Sequence, residues 1–232
     1  MVTDIYGLIP RGYSLLLTGP EGSGKTSFSL QWVMKGCNEG KHGIYVTFDE
    51  TPNALRRRAT RMGWDLQDLE DVGLLTIIDG FYPRIGIKSK ENLTTRPDVD
   101  YLLLKIAPLV TKSGVSRVVV DSITSLLIST RTLSIKSKDG GEGQNIKQKT
   151  ALIRMSEFLK NQGITVIFTE VETSNDYPQL EQFLIDGVIE LKLMKTDEGF
   201  ERRLLIKKMR DKEHPMHYID FTIAEELGIV FK

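Results

Sequence analysis

The densest chemistry in the chain lies in eight residues: Gly19, Pro20, Glu21, Gly22, Ser23, Gly24, Lys25 and Thr26. Their spacing is G-x-x-x-x-G-K-[ST], in which the backbone N–H groups of a glycine-rich turn wrap a chain of phosphates, the lysine reaches the outer oxygens and the hydroxyl ligates Mg2+. Glycines keep side chains away where phosphate must come close. Gly22, Ser23, Gly24, Lys25, Thr26 and Ser27 are therefore the expected nucleotide-binding residues, with ATP and Mg2+ as their ligands. The flanks agree with this reading. Upstream, residues 13–18 (Tyr-Ser-Leu-Leu-Leu-Thr) form a short apolar run that reads as a buried strand, and downstream residues 27–34 have helical spacing. A helix beginning there turns its partial positive end toward the phosphates.

In open α/β sheets, ligands collect beyond the carboxyl ends of the strands. Three acidic positions fall there: the pair Asp49 and Glu50, then Asp121, then Glu170. Asp121 ends a run of valines, the placement of a carboxylate that holds Mg2+ through its water shell, with Thr26 as the other metal residue. An acid after a strand also serves as a plain helix cap. Hydrolysis needs a group that orients or deprotonates the attacking water. Glu50 is the candidate base, with Asp49 beside it to tune its charge and Lys25 to neutralise phosphate, although both acids would also complement the dipole of a helix starting at Thr51. Lys208 and Arg210 alternate along a strand, so they share a face, and His214 follows. They are either solvated charges on an edge strand or groups that reach the phosphates of a neighbouring subunit, as an arginine finger does. Arg56, Arg57, Arg58 and Arg61 spread around much of a helix circumference and read as a solvated face rather than a binding patch. Trp64, Phe81 and Tyr82 are read as core aromatics rather than base-stacking groups.

The elements that must position these residues alternate in type. A strand is expected at 43–48 and a helix at 53–62, with Thr51 as N-cap and Pro52 at its first position. Strands follow at 74–79, 117–122 and 164–169, and helices at 101–110 and 146–162. The stretches 80–97 and 129–146 are expected to be loops, the second mobile because it is too polar to pack. Such alternation implies a mainly parallel sheet flanked by helices. Residues 187–193, 200–209 and 217–223 carry little helix between them and read as a C-terminal antiparallel β extension. No internal repeat is visible, so residues 1–232 read as one domain.

Composition narrows the classes. Hydrophobic residues make up 40% and charged residues 27% of the 232, ordinary for a soluble globular protein with a sizeable core. Lysines plus arginines and aspartates plus glutamates each number 31, so no global charge draws the chain to nucleic acid or membrane. A lone Cys37 excludes an internal disulfide and a cysteine metal site. The chain holds no apolar run long enough for a membrane span and no signal-peptide pattern at its start, so the expected location is the cytoplasm.

Beyond residues 19–26, the sequence resembles the KaiC-like branch of the RecA superfamily of ATPases over nearly its whole length. The resemblance rests on Val46-Thr47-Phe48-Asp49-Glu50-Thr51-Pro52 with Gly63-Trp64-Asp65, on Val120-Asp121-Ser122-Ile123-Thr124-Ser125, and on residues 181–189 and Lys208-Met209-Arg210 with His214. It implies a RecA-like P-loop core and ring-shaped, usually hexameric assembly with ATP between subunits. It also implies that Glu50 and Asp49 are the catalytic acidic pair, and that Lys208, Met209, Arg210 and His214 contact the nucleotide of the adjacent subunit. Gln182 and Phe183 stand where the clock protein's phosphorylated half has adjacent Ser and Thr, so clock-style autophosphorylation is not expected. Asp49 replaces a Glu, Arg61 replaces a small Ser near the base, and 131–147 is a charged insertion placed to face a ring's pore.

Three functions compete. The leading one is a homo-oligomeric ATPase whose slow hydrolysis acts as a switch for partner proteins. The second is a DNA-repair accessory resembling RadA paralogues, in which Arg131, Lys136, Lys138, Lys147 and Lys149 track single-stranded DNA. The third is a scaffold ring cemented by ATP without hydrolysis, a reading at odds with the intact Glu50.

Overall fold

The run Leu15-Leu16-Leu17 is buried on both faces, and the rest of the fold is arranged around the strand it makes. The computed structural model describes residues 4–80, 99–126, 142–171, 185–197 and 199–232. Residues 81–97 of the loop expected at 80–97, residues 129–141 of the one expected at 129–146, and Gln182, Phe183, Phe81 and Tyr82 lie outside these. In chain order the elements are β1 (Ser14–Gly19), α1 (Lys25–Asn38), β2 (His42–Thr47), α2 (Pro52–Arg61), α3 (Leu66–Asp71), β3 (Leu75–Asp79), α4 (Val99–Ser113), β4 (Val115–Asp121), α5 (Glu142–Asn161), β5 (Thr165–Val171), β6 (Gly187–Thr196), β7 (Gly199–Met209), β8 (Ile219–Ala224) and β9 (Gly228–Phe231). Among the described residues the strands form one sheet of order β3-β2-β4-β5-β1-β6-β7-β8-β9. From β3 to β6 all neighbours are parallel, and from β6 to β9 all are antiparallel.

Side chains of a strand alternate between faces, and that alternation divides the core. Leu15 and Leu17 pack with Phe28 and Trp32 of α1, whereas Leu16 packs on the other face with Leu102 and Ile106 of α4 and Met155 and Leu159 of α5. A strand covered on both faces reads as a continuous apolar run, which is why β1 and β4 stand out in the sequence.

The differences from the expected elements have local causes. Residues 187–193 are not wholly an antiparallel extension: β6 pairs in parallel with β1, Leu15 opposite Gly187, and only its other edge meets β7 in antiparallel register. Residues 142–146, expected as the end of a mobile loop, belong to the first turns of α5. Helix α3 was not expected, although Asp65 caps it by accepting from the amides of Gln67 and Asp68, and neither was β9, which Gln31 fastens by hydrogen bonds to both backbone groups of Ile229. Helix α2 follows its expected punctuation, with the Thr51 hydroxyl accepting from Ala54 N at 3.2 Å and Pro52 as its first residue.

Candidate functional site

A cavity of about 880 Å³ opens at the carboxyl ends of β1, β2 and β4. Its floor is the turn between β1 and α1. Gly24 precedes the helix with φ of 107°, a left-handed conformation natural to glycine, and no side chain caps α1. The amides of Lys25, Thr26 and Ser27 therefore keep the donor capacity of an open helix start, where anions bind. Lys25 is 8% exposed, and its Nζ donates to the carbonyls of Gly19 (2.7 Å) and Pro20 (2.8 Å), curled against the turn expected to hold phosphate.

Asp121 lines the same cavity as Lys25 and Thr26 and is 6% exposed. Both of its oxygens are engaged: the Tyr45 hydroxyl donates to Oδ2 at 2.6 Å and the Thr169 hydroxyl to Oδ1. Burial, and next the nearby Asp121 charge, hold the Tyr45 phenol well above its ordinary range, so it stays a donor. The carboxylate is thus fixed in orientation while keeping lone pairs for a further ligand. A hydroxyl and one carboxylate beside a phosphate site suit Mg2+, which takes oxygen ligands and keeps several waters. Among the described residues, no group of three or more His, Cys, Asp or Glu side chains is placed to hold a metal ion.

The acidic pair is split. Asp49 lines the cavity and accepts from the Ser125 hydroxyl. Glu50 does not line it: its carboxylate is forked by Arg58, Nε to Oε1 at 3.0 Å and Nη2 to Oε2 at 3.4 Å, and its carbonyl accepts from Thr47 Oγ1 at 2.7 Å. Glu170 sits on β5 level with Thr18 and is not among the lining residues.

Lys208, Met209, Arg210 and His214 are not brought to this cavity. Met209 pairs with Gly187, which in turn lies opposite Leu15 near the start of β1, whereas the phosphate turn follows Gly19 at its end. Four residues of strand, roughly 13 Å, separate the two levels. At the far end Arg210 Nη1 lies 3.5 Å from Asp186 Oδ1, and its carbonyl accepts from Tyr13 Oη at 2.9 Å. Lys208 Nζ donates to the Ile185 carbonyl at 2.5 Å, and its pKa is lowered by burial and then by the Arg210 charge. Met209 is 5% exposed within the core, so only its backbone is on offer, and His214 Nδ1 sits 3.1 Å from the Lys212 carbonyl.

Three arginines of the cavity were missed or misread in the sequence. Arg202 on β7 places Nε and Nη2 each 3.3 Å from the Gly22 carbonyl. Its signal was parity: it shares a strand face with the buried Leu204 and Ile206, where a charge is out of place unless it has a task. Arg58 and Arg61 line the cavity from α2, whereas Arg56 turns away to pair with Glu70 of α3. The expected solvated face is thus partly a wall of the site.

A glycine-rich turn between the central strand and its helix, an acid closing β4 and a parallel sheet continued by antiparallel strands define a RecA-like P-loop fold. The sequence model of the family described as "ATPase: KaiC" matches residues 3–232, and the chain belongs to that family. It is 30% identical to a UPF0273 protein of Aeropyrum pernix over 98% of this chain and 88% of that one. It is also 29% identical to the circadian clock protein KaiC3 of a Synechocystis species, over 97% of this chain but only 42% of that protein. Among solved structures, a KaiC-like protein from the archaeon Pyrococcus horikoshii matches with a TM-score of 0.78 and 30% identity, covering 100% of this chain and 96% of its own. Among the described residues, no helix is long and apolar enough to cross a membrane.

Proposed function

We propose that residues 1–232 act as one ATPase domain in the cytoplasm that binds Mg-ATP in this cavity and hydrolyses it slowly, assembled into a ring, a hexamer, whose state is read by partner proteins. The observation that carries the reading is the convergence of Lys25, Thr26, Asp49 and Asp121 on one cavity at the strand ends. Lys25 would leave its carbonyl partners for the phosphates, and the amides of Gly22, Ser23, Gly24, Lys25, Thr26 and Ser27 would cradle them. Mg2+, held by Thr26 and Asp121, would neutralise charge on the outer phosphates. Glu50 takes a proton from water as its oxygen attacks the terminal phosphorus and the bond to the bridging oxygen breaks, and ADP leaves with that oxygen's charge offset by Lys25.

The trans assignment of Lys208, Arg210 and His214 is supported by their place at the far end of β1, remote from the phosphate turn of their own chain. Its test is complementation. Arg210→Ala and Lys25→Ala chains, each inactive alone, regain turnover when mixed, because some interfaces then pair an intact turn with an intact Arg210. Turnover per subunit of the unmutated chain rises with protein concentration and ignores single-stranded DNA. Failure of the mixture to recover refutes the shared site, and strong stimulation by DNA moves the protein to the repair reading.

A further inference from the structure

Glu50 is the proposed base, yet its carboxylate does not face the cavity, and the group that holds it does. Arg58 stands two turns along α2 from Thr51 and lines the cavity, and its guanidinium forks both Glu50 oxygens. The Glu50 side chain is 18% exposed and that of Arg58 50%, so the guanidinium is the outer, movable partner and the carboxylate the inner, covered one. A carboxylate held by a fork keeps spare lone pairs, but its orientation and its charge are committed to the guanidinium, which makes it a weaker base toward a water in the cavity. Among the described residues, the Glu50 carboxylate accepts from Arg58 alone, while the Glu50 backbone is pinned by Thr47.

We infer that Arg58 is a positioning residue that holds Glu50 out of the site until a terminal phosphate draws the guanidinium away. This rests on the assignment of Glu50 as base. A γ-phosphate in the cavity offers the same planar fork a more highly charged partner than a carboxylate does, and arginine binds phosphate bidentately. Swinging Arg58 onto the phosphate uncovers Glu50 toward the water, so the base is released only when the substrate's third phosphate is present. ADP, lacking it, leaves the clamp closed. The device makes the triphosphate itself the key to its hydrolysis and keeps the base silent between turnovers.

Steady-state hydrolysis of Mg-ATP by the full chain, measured as kcat and KM for four variants, tests this. Breaking the Arg58–Glu50 pair is a cost met after ATP has bound, so Arg58→Gln, which removes the fork, is expected to raise kcat about two- to fivefold, the worth of a partly exposed ion pair. Arg58→Lys, which keeps the charge without the fork and guards against misfolding of the glutamine variant, falls between it and wild type. In a Glu50→Gln background, Arg58→Gln brings no rise in the residual kcat, because there is no base left to release. An unchanged or lower kcat in Arg58→Gln, or an equal change in both backgrounds, overturns the clamp, since the arginine would then act on phosphate or on the fold. Wild-type turnover by Glu50→Gln overturns the base assignment itself and the clamp with it, which separates the two failures.

Discussion

Replacing Tyr45 by Phe deletes one oxygen from the middle of the molecule and nothing else. The ring is fully buried and keeps its packing, and Ser29, whose hydroxyl lies 3.5 Å from that of Tyr45, remains satisfied by the Lys25 carbonyl at 2.8 Å. The loss falls on Asp121, which gives up its 2.6 Å donor and keeps only Thr169. A hydrogen bond to a charged group contributes about 1.5–3 kcal/mol, so Tyr45→Phe is expected to cost about 2 kcal/mol. For a chain of this length that lowers the melting temperature by about 4–8 °C. A carboxylate freed to rotate also holds Mg2+ less well, and loss of such a supporting partner weakens a metal site by about tenfold or more. The assays are thermal unfolding without nucleotide and the Mg2+ concentration that half-saturates nucleotide binding. A melting point within 1 °C of wild type together with an unshifted Mg2+ midpoint would refute the argument that Tyr45 sets Asp121, and no compensating contact is at hand to rescue it.

Two further outcomes follow from backbone and burial. A Cβ on Gly19 would stand 2.3 Å from the Leu191 carbonyl oxygen and 3.0 Å from Ser23 Oγ, so Gly19→Ala must spread β1 from β6, whereas Gly22 has nothing within 4 Å of the added carbon. Denaturant unfolding should show a loss of about 1–3 kcal/mol at Gly19, and at Gly22 only the backbone penalty of about 1–2 kcal/mol. Nucleotide affinity should fall in both, and equal stabilities for both variants together with wild-type stability at Gly19 would sink the steric account. At high pH, burial pushes the Cys37 thiol up to about 11 from its ordinary 9, and burial likewise raises the Tyr6 and Tyr45 phenols above 10. The unfolded chain sheds these protons first and the folded chain retains them. Stability is therefore whole below pH 9 and falls above it by about 1.4 kcal/mol per unit for the thiol, more steeply past pH 10. Denaturation across pH 8–10.5 reads this slope, and Cys37→Ala should flatten it between 9 and 10.

What was legible in the sequence was whatever local chemistry alone decides. Buried parallel strands announce themselves as unbroken apolar runs, so β1, β4 and β5 were placed within two residues, and Thr51-Pro52 marked the start of α2 by capping rules. The direction of β6 was not legible, because a strand's sequence does not say which neighbour it chooses on each edge. Arg58 was misplaced for a related reason. Three consecutive arginines look alike on a helical wheel, and only the fold shows that Arg56 meets Glu70 while Arg58 meets Glu50. Charged side chains take their meaning from partners distant in sequence, and periodicity carries no information about those.

The direction of β7 turns this topology into an argument about assembly. Because β6 runs parallel to β1 and β7 returns antiparallel, the beginning of β7 comes up beside the phosphate turn and its end goes down to the opposite edge of the sheet. Arg202, early in β7, accordingly reaches Gly22 of its own chain, while Arg210, after its end, reaches Asp186 beside the first residue of β1. One strand thus carries two cationic groups to the two ends of the sheet. A single chain can use only the first of them on its own nucleotide. If the second serves hydrolysis at all, it must do so on the nucleotide of another copy whose cavity faces that edge, and activity then becomes a property of the interface. In the trans arrangement proposed above, a dependence of turnover on protein concentration would follow from the order of three strands.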